Sequence, residues 1–437
     1  MTVMAFGSEA FWDRSLAPLF SREWIHEAVA RTDRESDRQR RLTAESVVLL
    51  VVAMGLFREQ SIVDLVWKFG LARSAPSDGP LRSNAITQAR KRLGEEPVHA
   101  LLERTAREWA VPSAETHRWR GLAIVGIDGT TMRVADSPEN REAFGVHRCQ
   151  HGRSSYPLLR CVALMALRSH LILDAILGAF KGTSEVGFAE SLIPKIPDQS
   201  LTILDRGFWS VWLWSRITGE GTHRYWLIRA KSTARWRVIK THAPGDERVE
   251  IQVPDEARSK HPSLPRTLHA RAIRYHRRGF RPQVLLTSLL DPREWPAAEI
   301  IVLYHERWDL ELALDEIKTE TLQRKETLRS RTPTGVRQEM WGVFVGYNVV
   351  RHQMEQTANL ANVAPVRISF VGVLRIVRER WLARTEGPRA DVLRQMRSEV
   401  RWQALLILPP RRSERQYPRA VKRTMSPYPR KRVSQAA

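Results

Sequence analysis

Cysteine is nearly missing from this sequence: Cys149 and Cys161 are the only two in 437 residues. Two cysteines make no disulfide framework, so a small stapled fold is excluded and a reducing compartment fits. Long apolar runs are missing as well. The longest, residues 46–57, falls short of the roughly 20 residues needed to cross a bilayer and reads as a buried helix. The first residues carry no basic-then-apolar leader pattern, and no internal repeat is visible. Acids are in short supply. Lys and Arg number 70 against 48 Asp and Glu, a formal charge of +22. Such an excess repels itself unless a polyanion is at hand, which points to nucleic acid, with acidic lipid as the competitor. A soluble, cytoplasmic, nucleoid-associated protein is expected. The length allows two or three domains with a sizeable core.

Residues 1–117 read as helices. Residues 45–54 form a buried one with Thr43 as N-cap, and residues 61–68 an amphipathic one. Residues 83–109 read as two more, broken near Gly94 and Pro97. The basic face of residues 85–92 is a solvated surface or, as a second reading, a DNA contact. At Gly121 the pattern changes. Residues 122–127 read as a buried strand, 132–134 and 158–167 as the next two, and 171–176 as another. A helix at 185–193, a strand at 201–204 and a helix at 210–217 complete an α/β layered core over 118–224. In 225–292 short strands alternate with turn residues, a β-rich insertion. The core resumes over 293–360, where Pro296 opens a helix. Residues 361–437 hold C-terminal helices and a basic tail. Over 409–432 that tail has nine Lys/Arg and a single acid, Glu414, and reads as disordered.

Tyr304, Arg307, Glu311 and Lys318 are spaced by three, four and seven residues. Each spacing is near a whole number of helical turns, so the four fall on one face of one predicted helix. Upstream, Asp128 ends an apolar strand and precedes Gly129, and Asp205 repeats the arrangement ahead of Gly207. A lone Asp-Gly more often starts a turn than builds a site; its repetition shifts that balance. For Glu311 the plain alternative is a solvated acidic face shared with Glu306, Asp309, Asp315 and Glu316. Asp128, Asp205 and Glu311 are hard oxygen ligands suited to Mg²⁺. Two such ions about 4 Å apart can activate a water or 3′-hydroxyl and steady a leaving oxygen. Arg307 would grip a nucleic-acid strand as a fork and Lys318 as a point charge. His147, Cys149 and His151 lack the ligand spacing of a zinc site. Phe208, Trp209, Trp212 and Trp214 read as core packing.

The runs Ile127-Asp128-Gly129-Thr130, Leu204-Asp205-Arg206-Gly207-Phe208 and Tyr304-His305-Glu306-Arg307-Trp308-x2-Glu311-x6-Lys318 resemble the motifs of the insertion-element-four family of bacterial DDE transposases. The resemblance covers roughly residues 20 to 380. It implies a ribonuclease-H-like core carrying Asp128, Asp205 and Glu311, interrupted by a β insertion and flanked by an N-terminal domain that binds DNA ends. It implies two divalent metals per active site, Mg²⁺ with Mn²⁺ as substitute, and Tyr304, Arg307 and Lys318 on DNA. The implied chemistry is cut-and-paste transposition at terminal inverted repeats: nicking, a hairpin, reopening and joining of 3′ ends to target DNA. The implied partners are double-stranded DNA and a second copy of the chain. A relative stacks a flipped base on a tryptophan ahead of the glutamate helix. Residues 283–286 hold none, which leaves Trp236 or Trp295. A catalytically idle DNA-binding derivative is the alternative; a two-carboxylate glycosidase leaves +22 unexplained.

Overall fold

The computed structural model describes residues 21–35, 40–72, 81–149, 152–277, 281–323 and 327–382, with the backbone alone for 147–149, 152–155 and 380. The basic tail and the side chains of His147, Cys149 and His151 lie outside the described residues. The chain begins with a helical layer: α1 (Arg22–Ala30), α2 (Ala44–Leu56), α3 (Ile62–Lys68), α4 (Ser83–Leu93), α5 (Glu96–Thr105) and α6 (Val111–Thr116). Thr43 caps α2 by accepting from the Ser46 N–H, and Ser61 caps α3 through Asp64. Gly94 ends α4 with φ of 73°, and Pro97 sits in the first turn of α5.

A mixed sheet follows, from β1 (Ala123–Val134), α7 (Pro138–Phe144), β2 (Val146–Cys149), β3 (Gly152–Ala166), β4 (Ile172–Ala179), α8 (Glu185–Leu192), β5 (Ser200–Leu204), α9 (Val211–Gly219) and β6 (Arg224–Arg229). Its core order is β4-β3-β1-β5-β6. β3 is antiparallel to both neighbours, whereas β1, β5 and β6 are parallel. This is the ribonuclease-H-like arrangement. The parallel half needs crossovers, which α8 and α9 supply. Residues 132–134, expected as a separate strand, continue β1 instead, because an extended backbone passes through Gly129 without a turn.

Then come β7 (Arg237–Ala243), β8 (Asp246–Gln252), α10 (Asp255–Lys260), β9 (Thr267–Tyr275) and β10 (Gln283–Thr287). β10 pairs antiparallel with β6, so these strands extend the core sheet in the order β6-β10-β9-β8-β7. Residues 225–228, expected to open the insertion, form the last parallel core strand. An apolar run has no mark of strand direction.

The chain closes with α11 (Ala297–His305), α12 (Trp308–Asp315), β11 (Thr327–Leu328), α13 (Pro333–Ala361) and α14 (Phe370–Leu382). α13 is buried along most of its 29 residues. α2 crosses it backbone to backbone: a Cβ on Gly342 would stand 2.4 Å from the Val51 carbonyl oxygen. Buried Arg58 pairs with buried Glu339 and also donates to the Thr327 carbonyl at 2.7 Å. Arg90 of α4 donates to Gln338 at 2.8 Å. These contacts join the N-terminal layer to the sheet through one continuous apolar core. Among the described residues no helix is long and apolar enough to cross a membrane.

Candidate active site

The site begins with a mismatch in strand length. Pairing of β1 with β5 runs from Ala123↔Ser200 to Ile127↔Leu204 and stops. β1 continues through Asp128, but the chain beyond β5 turns at Asp205 into a short 3₁₀ turn, Arg206–Phe208. The edge of β1 is therefore open only from Asp128 to Met132, until β11 pairs with Arg133 and Val134, and Asp128 and Asp205 are adjacent where the β5 pairing ends. One oxygen of each is used locally. Asp128 Oδ1 accepts from the Gly129 N–H at 2.8 Å, and Asp205 Oδ1 from the Gly207 N–H at 2.6 Å. Neither carboxylate forms a salt bridge with a described Lys, Arg or His.

Glu311 is brought in by α12, and a glycine lets it approach. Gly126 and Asp128 share a face of β1, since strand side chains alternate. A Cβ on Gly126 would lie 2.7 Å from Leu310 Cδ1, so Leu310 packs directly on the strand and delivers its neighbour Glu311. Arg307 Nη2 donates to Glu311 Oε1 at 2.6 Å. The Asp128 carboxyl is pushed up to about 6, first by burial and then by the like charges of Asp205 and Glu311, against the Gly129 N–H and Arg307. Asp128 thus feels both other carboxylates, with Arg307 as the opposing charge.

Tyr304 is only 6 % exposed. Burial pushes its hydroxyl up to about 12; Arg307 and Arg229 oppose this and Asp205 adds to it. Tyr304 therefore packs inside the site, where the sequence suggested an open DNA-contacting face. Lys318 is half-buried near Cys161, whose thiol burial drives up to about 12 against the pull of Lys318. Cys161 pairs with Thr130 in the sheet, so Lys318 stands beside the strand next to β1, two positions past Asp128.

The four signature residues do not share one helix. α11 ends at His305 and α12 starts at Trp308, separated by i→i+3 bonds from Glu306 to Leu303 and from Arg307 to Tyr304. A wider π turn, Glu316–Thr321, then carries Lys318. No glycine or proline marks either change. The π turn is fixed by Glu316, which pairs with buried Arg351 and accepts from the Tyr347 hydroxyl at 2.9 Å. Burial works against the Glu316 charge, yet Arg351, His170 and Tyr347 outweigh it and hold the carboxyl down at about 2.

An all-oxygen donor set whose three carboxylates share one ion pair, Arg307 with Glu311, fits a divalent cation. Asp128, Asp205 and Glu311 are more widely spaced than 4.8 Å; among the described residues the acidic group whose ligand atoms all lie within 4.8 Å of one another is a different one, His99, Glu103 and Asp174. Lys195 and Arg31 already neutralise it, Lys195 lying 2.8 Å from Glu103. The sequence assigns no role to Gly126, to Glu316 as an anchor, or to Glu185 beyond the start of a helix; the Glu185 carboxyl lies against Gly129. Of the tryptophans considered for base stacking, Trp295 is buried beside Trp119 and Tyr225, and Trp236 is half-buried beneath Arg274. Phe208 and Trp214 are core, and Trp212 stacks on His261 at 4.1 Å.

Residues 14–103 match the family described as insertion element 4 transposase N-terminal, and residues 119–349 match the transposase DDE domain. The chain is similar to the transposase InsG for insertion sequence element IS4 of Escherichia coli (strain K12), with 34 % identity over 418 residues, 95 % of this chain and 93 % of that protein. It is also similar to the putative transposase InsZ of the same organism, with 32 % identity over 265 residues, 58 % of this chain and 87 % of that protein. A solved structure, the cryo-EM structure of piggyBac transposase synaptic complex with hairpin DNA, has a TM-score of 0.40 and 10 % identity, covering 90 % of this chain and 84 % of that one.

Proposed function

The chain belongs to the insertion element 4 family of DDE transposases, metal-dependent DNA nucleases and strand transferases, and from that premise we propose how its own residues divide the work. Asp128, Asp205 and Glu311 hold two Mg²⁺ ions, with Mn²⁺ as substitute. When bound, those ions would lower the pKa of an attacking water or 3′-hydroxyl and neutralise charge on the leaving oxygen. The observation that carries this reading is the open edge of β1, where Asp128 is pushed up to about 6 by burial and by Asp205 and Glu311.

Arg307 holds Glu311 in place in the free protein. With DNA present, its fork also takes a phosphate oxygen, and Lys318 adds a point charge further along the strand. Tyr304 supports both from beneath. The ends themselves are bound by the N-terminal layer. A cavity of about 620 Å³ there is lined by Arg40, Arg41, Arg82 and Arg92, with Asn84 and Gln88 one turn apart on α4. Arginines of this kind position phosphates, and Asn and Gln read adenine edges in a major groove. Arg92 is held below its ordinary value by burial and by the like charge of Arg40, which an anion would relieve.

The reading includes a hairpin intermediate and a homodimer that cuts in trans on terminal inverted repeats, both resting on the family resemblance. Trp236 is the remaining candidate for stacking a flipped base. The place of action would be bacterial nucleoid DNA, in the cytoplasm. The test uses labelled duplex carrying the element's own ends. Asp128→Asn, Asp205→Asn and Glu311→Gln are each expected to abolish nicking in Mg²⁺ while end binding persists, because affinity comes from phosphate contacts. Normal nicking by any one variant removes that residue from the site. A DNA-binding protein without catalysis would bind ends and leave them uncut in the wild type.

A further inference from the structure

Resting on the reading of Asp128, Asp205 and Glu311 as a cation site, we infer that Glu185 is a fourth carboxylate of that site, reaching it from the opposite face of the sheet. A Cβ built on Gly129 would stand 2.8 Å from Glu185 Cδ, 2.9 Å from Oε1 and 3.0 Å from Cγ. The Glu185 carboxyl is therefore laid against the backbone of the residue next to Asp128, a place that only glycine leaves free. Gly129 and Asp128 face opposite ways along β1. In the middle of a sheet that would separate the two carboxylates. Here β5 has ended at Leu204 and β11 joins only at Arg133, so β1 has no partner on that edge between Asp128 and Met132, and the sheet is no barrier there between its two faces.

The approach of Glu185 is fixed by its surroundings. Ser184 caps α8 by accepting from the Gly187 N–H at 3.0 Å. Arg160 donates to the Thr183 carbonyl, and Phe188 packs on Gly178, where a Cβ would come within 2.5 Å of its ring. Against this fixed frame Glu185 is half-buried and makes no hydrogen bond or ion pair among the described residues. Arg160, the guanidinium that reaches this same turn, is engaged with the Thr183 carbonyl. A carboxylate at the first position of a helix gains from the helix dipole. That gain does not need the side chain folded back onto a glycine beside Asp128. A divalent cation at the open edge supplies the missing partner.

The test measures Mn²⁺ binding to the full-length protein by calorimetry, without DNA, beside thermal melting. Glu185→Gln is expected to weaken Mn²⁺ binding by about tenfold, the usual cost of removing a group that supports a metal site. Melting and end-DNA affinity should stay unchanged. Gly129→Ala, whose methyl displaces the carboxyl, should act in the same direction. Asp128→Asn is the control. Loss of Mn²⁺ binding in Asp128→Asn with none in Glu185→Gln overturns the role of Glu185 alone. Unchanged binding in both overturns the cation site itself. If Glu185→Gln fails to fold, Glu185→Asp retracts the carboxylate by one methylene and keeps the charge. Weaker Mn²⁺ binding in that variant supports the assignment, and unchanged binding overturns it.

Discussion

Glu311 and Glu316 stand five residues apart in one acidic stretch, and the protein treats them in opposite ways. Glu316 sits in the π turn with its charge fully answered by Arg351, Tyr347 and His170, and its carboxyl is held down at about 2. Glu311 has Arg307 alone, is 41 % exposed along its side chain, and adds its charge to a site in which Asp128 is already pushed up to about 6. One glutamate is a structural anchor that needs nothing more. The other joins a group of carboxylates without such an answer, the place where we propose a cation. Incomplete charge is tolerated where function requires it, and the anchor beside it keeps the helix in place despite the repulsion.

The contrast breaks most visibly at Arg351. Arg351→Met leaves half-buried Glu316 without its main counter-charge, and the loss should be up to about 3 kcal/mol of unfolding free energy. The sign with pH follows from the lowered carboxyl. The stability contributed by Glu316 is present above the ordinary carboxyl value and is lost only as pH falls toward about 2. The deficit of Arg351→Met should therefore be full at pH 8 and smaller at pH 5, where a carboxyl that has lost Arg351 but not its burial begins to take up a proton. Urea denaturation at both values measures it. A deficit below about 1 kcal/mol would make Glu316 no more than a solvated surface acid, and the distinction from Glu311 would disappear.

Asp128 should show the opposite sign. Its folded value, about 6, lies above the ordinary 3.8, so stability is greatest below that ordinary value and is lost as pH rises through about 6. In a chelator at pH 8, Asp128→Asn should be more stable than the wild type by up to about 3 kcal/mol. The gain should vanish near pH 4 and shrink when Mg²⁺ is added, since the cation relieves only the wild type. Melting curves in chelator and in Mg²⁺ at the two pH values check this. A destabilised Asp128→Asn at pH 8 would show that the carboxylates are already balanced without a cation.

Much of this arrangement was readable from the chain. Thr43 and Ser61 announce their helices, and each aspartate follows an apolar strand and precedes a glycine. The readable part is local. What was not readable depends on partners distant in sequence. Nothing near Glu316 distinguishes it from Glu311; its answer lies at Arg351, Tyr347 and His170. Gly129 looked like the end of a strand, yet it serves as a flat place in one, kept bare for Glu185. The break after His305 and the wide turn at Glu316 have no glycine or proline, so an even helical spacing was the natural expectation. Residues 225–228 gave their strand but not its direction, which is set by pairing with β5.

The smallest effect on stability should come from Arg307→Lys, whose effect on chemistry is not small. The Arg307–Glu311 pair has the arginine on the N-terminal side, the weaker orientation for an i,i+4 pair, and Glu311 is open to solvent. Replacing the guanidinium by an ammonium should change unfolding free energy by no more than about 0.5 kcal/mol. It does remove a planar fork that can hold a carboxylate oxygen and a phosphate oxygen together. Losing one charge-assisted bond of that kind, about 1.4 kcal/mol, should slow nicking about tenfold. Equilibrium unfolding and single-turnover nicking on the same preparation test both halves. Full nicking activity would remove Arg307 from the phosphate. A stability loss as large as that of Arg351→Met would mean that Glu311, like Glu316, is an anchor after all.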